Sequence, residues 1–110
     1  MKVSNGFMLF GQQFPKTAAA HMSFVQAKAG ESALDTKTNH LAYLAVLSAA
    51  GMTGGLDFHV GLAKQAGATD DEIKSAALVG MQAVGLRVLD GFAAVCEALD
   101  DSVEQPSDIP

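Results

Sequence analysis

The chain has 110 residues, nearly half of them apolar and 17% charged, with a net charge of −5. That length fits one domain with a modest core, and an acidic chain with no basic cluster is not built to bind nucleic acid. No apolar run reads as the roughly 18 residues needed to span a bilayer. The N-terminus has no signal-like apolar segment, and the lone Cys96 forms no internal disulfide, so a cytoplasmic protein without a membrane partner is expected.

Taken in order, Phe7, Phe10 and Phe14 recur at spacings of three and four. That period predicts a short helix with an aromatic stripe, packed on the core or on a neighbouring subunit. Pro15 suits the start of a second helix. Its apolar face carries Ala18, Met22, Val25 and Ala29, with His21 on or beside it, and Gly30 is expected to stop it. Asp35 or Thr36 can cap a third helix, in which Leu41, Leu44, Ala45 and Ser48 form one stripe and His40, Leu44 and Leu47 the next.

Gly51-Met52-Thr53-Gly54-Gly55 then makes a glycine-rich turn, and a fourth helix is expected from about Leu56 to Ala66. Leu56, His59, Val60 and Ala63 share one face of it, so His59 lies on the core-facing stripe. The turn reads equally well as a tight helix connection or as a cradle of backbone N–H groups. His59 reads as a buried, hydrogen-bonded structural residue or as a site group.

Thr69-Asp70-Asp71-Glu72 is a capping box, the clearest local signal in the chain. Behind it, Ile73, Ala76, Ala77, Gly80, Met81 and Val84 form a stripe of small residues that suits a central helix, interrupted at Gly85. From Leu86 to Leu99 apolar residues fall on nearly every face, as in a helix buried on several sides, some of them against another subunit. Cys96 reads as a small core residue. A single domain over 1–99 is therefore expected, followed by an acidic, proline-containing tail over 100–110 that reads as disordered. No β-rich alternation competes, so the fold class is all-α with about five or six helices.

Leu34-Asp35-Thr36-Lys37-Thr38, Leu41, Leu44-Ala45, Ala50-Gly51, Phe58-His59-Val60, Ala66-Gly67-Ala68-Thr69 and Glu72-Ile73 follow one another at a spacing that resembles the carboxymuconolactone decarboxylase family, which includes the AhpD-like alkylhydroperoxidases. The resemblance covers roughly residues 14 to 99. It implies an AhpD-like helical bundle assembled as a homo-oligomer, a trimer or a hexamer. In the peroxidase branch a Glu precedes a Cys-x-x-Cys pair, with a His four residues after the second Cys. Here the His position is His59, the two Cys positions are Met52 and Gly55, and the Glu position is His40. The dithiol is absent, and a thiol peroxidase needs a thiolate that attacks and a partner that resolves. The peroxiredoxin-like, antioxidant activity that the family name brings with it is therefore not expected.

What remains is His59 and His40 as candidate catalytic groups, with Met52, Gly54, Gly55 and His21 as candidate substrate-binding residues. The decarboxylase branch also lacks the dithiol while keeping a His near this position. The resemblance thus implies lyase-type acid–base chemistry on a small carboxylate or lactone. No Arg lies near the turn in sequence, which counts against an acidic substrate. No cofactor is expected, and no metal motif of recognised spacing is present, although His21, His40 and His59, each nineteen residues from the next, could converge on a zinc ion. A third reading is a non-catalytic oligomeric binding or scaffold protein that kept the fold after losing its site.

Overall fold

A computed structural model describes residues 1–101. Among them there are helices and turns but no strand. The elements are α1 (Asn5–Gln13), α2 (Pro15–Glu31), α3 (Thr36–Ala50), α4 (Leu56–Gln65), α5 (Asp70–Leu78), the single turn α6 (Met81–Val84) and α7 (Val88–Asp101), with 3₁₀ turns at Thr53–Gly55 and Gly85–Arg87. The all-α expectation holds. The last helix includes two residues assigned to the tail, Asp100 and Asp101. The rest of the expected tail, 102–110, lies outside the described residues.

Local chemistry explains most boundaries. Ser4 accepts from the Phe7 amide at the start of α1, and Asp35, not Thr36, caps α3 through the Thr38 amide at 2.7 Å. Helix α2 runs one residue past Gly30 to Glu31, then leaves the helix at Ser32, whose hydroxyl accepts from Leu34. Gly51, at φ 74°, ends α3 with the Met52 amide bonded back to Leu47, a Schellman motif. Gly67, at φ 96°, ends α4 the same way through Ala68 and Ala63. The capping box forms as expected: the Thr69 amide donates to Glu72 at 2.8 Å, and the Glu72 amide donates to the Thr69 hydroxyl at 3.1 Å.

The core sits between α3, α4, α5 and α7. Leu44, Leu47, Leu56, Val60, Ile73, Ala77, Val95 and Leu99 close it. The expected small-residue helix is in fact two: α5 stops at Leu78, and α6 is a separate turn. Gly80 brings this break against α3, where a Cβ would stand 3.0 Å from the Ala49 Cβ. Gly85, at φ 72°, makes the second break. Helix α5 still packs against both α3 and α7, as expected of a central helix, and α3 crosses α7 where the buried Ser48 meets Gly91. The stretch from Asp70 to Asp100 is long and apolar enough by composition alone to cross a membrane, unlike the reading of its sequence above. It is a broken series of helices, and its Ile73, Ala76, Ala77, Val88, Val95, Ala98 and Leu99 form the inside of the bundle.

Helices α1 and α2 turn about Phe14 and pack chiefly on each other. Neither contributes a buried residue. The hairpin therefore carries its apolar surface outward, with Phe14 and Phe24 each 62% exposed.

Candidate functional site

The site is assembled where the start of α4 faces α3. His40 and Tyr43 lie three residues apart on α3 and so share a face. Opposite them, His59 stands in the first turn of α4. The Tyr43 ring meets the His59 imidazole edge to face, with centroids 4.7 Å apart and planes at 70°. The neighbouring Phe58 ring is also in contact, at 5.4 Å and 90°. The imidazole is thus in edge-to-face contact with two aromatic rings.

Burial sets the electrostatics. Burial holds the His59 pKa below its ordinary value of 6.5, and the positive charge that His40 can carry pushes it the same way. His59 is thus kept as the neutral imidazole, the form that can accept a proton. Its Nδ1 is buried and has no hydrogen-bond partner. Buried polar atoms are rarely left unpaired, and where they are, a functional reason is worth seeking.

The turn residues divide. Gly55 abuts the imidazole, since a Cβ there would lie 3.7 Å from His59 Cδ2. Gly54 instead faces the N-terminal segment, where a Cβ would lie 3.8 Å from the Ser4 Cβ. Met52 is exposed on the surface. His21 sits in the α1–α2 hairpin, ringed by Phe7, Phe10 and Phe24 at 6.3 to 6.4 Å. The structure thus brings His40 near enough to His59 to bear on its charge and keeps His21 with the hairpin aromatics. Among the described residues, no group of three or more His, Cys, Asp or Glu is placed to hold a metal. Asp57, on another face of α4, takes the Lys2 amide and lies 3.5 Å from the Met1 amino group.

Two residues near the site were not singled out by sequence reasoning. Tyr43 had a signal, its helical spacing from His40. Arg87 had none. It reaches over from the turn before α7, donates to the Ala50 carbonyl at 2.8 Å, and lies on Gly51, where a Cβ would be 3.0 Å from Nη2. The turn therefore does carry an arginine beside it, supplied by tertiary structure and not by neighbouring sequence.

Fold and site together describe a small all-α bundle with a histidine at the head of its fourth helix. The model of the carboxymuconolactone decarboxylase family matches residues 15–98, and the chain belongs to that family. No curated protein and no solved structure matches it.

Proposed function

We propose that the chain uses His59 for acid–base chemistry on a small organic acid, lactone or related carbonyl compound. One observation carries this reading: a half-buried imidazole, held neutral by its surroundings, with an unpartnered Nδ1 beside an exposed tyrosine. A neutral imidazole near its functional pH is the usual general base. His40 lies near enough that a positive charge on it disfavours protonation of His59, which leaves the resting imidazole free to act as a base. The Leu56 amide that opens α4 is bonded to the Thr53 carbonyl, so the helix start offers a carboxylate or an enolate oxygen mainly the positive end of its dipole. Arg87, beside Gly51, keeps further N–H donors for an acidic substrate.

Thiol peroxidase chemistry has no support in this arrangement, because Met52 and Gly55 stand where the dithiol would be and Cys96 lies on α7. The scaffold reading gains from the exposed hairpin, which suits a homo-oligomer, trimeric or hexameric. It does not account for the orphaned Nδ1. A thermal-shift panel of small lactones, oxo acids and dicarboxylates separates the two. A ligand that binds only the folded state raises the melting temperature by mass action. Stabilisation by a lactone or organic acid that disappears in His59→Ala supports the site. No stabilisation by any compound, with His59→Ala badly destabilised, assigns His59 a structural role and leaves the scaffold.

A further inference from the structure

Removing a proton beside a carbonyl places negative charge on the carbonyl oxygen, and that charge needs a donor in the right place. The surroundings of His59 hold no built metal cluster among the described residues and no cationic side chain in ring contact with it. Of the two side chains in ring contact with the imidazole, Tyr43 is the one with a polar group, and it is 43% exposed. Its hydroxyl has no hydrogen bond to the described residues, and a phenol donates as well as accepts. The exposed hydroxyl is therefore free to meet a ligand beside the imidazole.

We propose that Tyr43 is the second catalytic residue of this site, donating a hydrogen bond from its hydroxyl to the substrate oxygen while His59 takes the proton. This rests on the reading of His59 given above. His59 removes the proton from the carbon next to a carbonyl. The C–H electron pair becomes a C=C bond, and the carbonyl pair moves to oxygen, where the Tyr43 O–H meets it. The reverse flow returns the proton from His59 to carbon, so neither atoms nor electrons are gained or lost. The ligand class is accordingly a small carbonyl compound that can form an enolate.

The stable enolate of tetronic acid, a five-membered lactone, is a suitable probe. The chain holds a single tyrosine, so biosynthetic replacement of tyrosine by 3-fluorotyrosine alters position 43 alone. Fluorine makes the phenol a stronger donor and gives one ¹⁹F resonance. The expected result has four parts. Tetronate binds the wild type at millimolar concentration, and Tyr43→Phe binds it about tenfold or more weakly, the usual loss for a hydrogen bond to a charged group. The fluorinated protein binds more tightly, and its ¹⁹F signal shifts on binding. Tyr43→Phe keeps the ring contact and lacks only a hydroxyl that the protein leaves unpaired, so it retains its fold. Equal binding by wild type and Tyr43→Phe, with loss of binding in His59→Gln, overturns the role of Tyr43 and spares that of His59. No binding to the wild type overturns both.

Discussion

Gly91 of α7 lies directly against Ser48 of α3: a Cβ at position 91 would stand 2.7 Å from the Ser48 Cβ and 2.8 Å from its Cα. Backbone and Cβ cannot move aside as a flexible side chain does. The Ser48 hydroxyl lies 2.8 Å from the Ala77 carbonyl and 3.1 Å from that of Val88, so one buried group ties α3 to the end of α5 and the start of α7. Gly91→Ala is predicted to lose about 1–3 kcal/mol by overpacking, although alanine favours the helix. Gly80→Ala, which meets only a methyl at 3.0 Å, is predicted to lose less. Denaturant titration of the two variants decides the order.

Gly51 and Gly67 end their helices at positive φ, but only Gly51 has Arg87 on top of it; nothing lies within 4 Å of a Cβ at Gly67. Alanine at either position is predicted to cost about 1 kcal/mol in backbone strain. Gly51→Ala is predicted to cost more, because it also displaces the guanidinium from the Ala50 carbonyl. Equal losses in a melting comparison contradict the packing of Arg87 on the turn.

The lowered pKa of His59 has a definite consequence for stability. The unfolded chain takes up a proton near the ordinary value of 6.5, while the folded chain resists it to lower pH. Between those values the unfolded state binds more protons, so stability rises with pH across that window and is lost as pH falls through it. His59→Gln removes this contribution. Denaturation of wild type and variant from pH about 5 to about 7.5 is predicted to show a steeper slope for the wild type. His40→Gln is predicted to raise the His59 pKa, read from its imidazole resonances.

The α1–α2 hairpin exposes Phe7, Phe14 and Phe24 without burying any residue of its own. Apolar surface of that kind on a small chain favours a partner. A light-scattering mass corresponding to a trimer or a hexamer is predicted, with Phe24→Glu shifting it toward the protomer. A monomeric wild type contradicts this.

Much of the molecule is legible in the sequence, because its signals are local. The capping box at Thr69, Pro15 at the head of α2 and Gly51 at the end of α3 each act within one turn of chain, and each behaves as read. The packing of α3 on α4, the helices that carry His40 and His59, follows from two helical stripes. The break at Gly80 is hidden, because small residues continue the helical period straight through it and only the approach to Ala49 reveals it. Ser48 and Gly91 look like ordinary members of small-residue stripes, and their meaning exists only where the helices cross. Arg87 reaches Gly51 across 36 positions of chain, a contact that no spacing rule foretells.

The most direct test of a working acid–base site is proton exchange at carbon. The wild-type protein, in deuterated buffer with a panel of small lactones and oxo acids, is followed by the loss of the α-proton signals. Exchange of at least one compound above the buffer rate, abolished in His59→Gln, is the predicted result. Exchange that persists unchanged in His59→Gln, or no exchange with any compound, contradicts the assignment of His59 as the base.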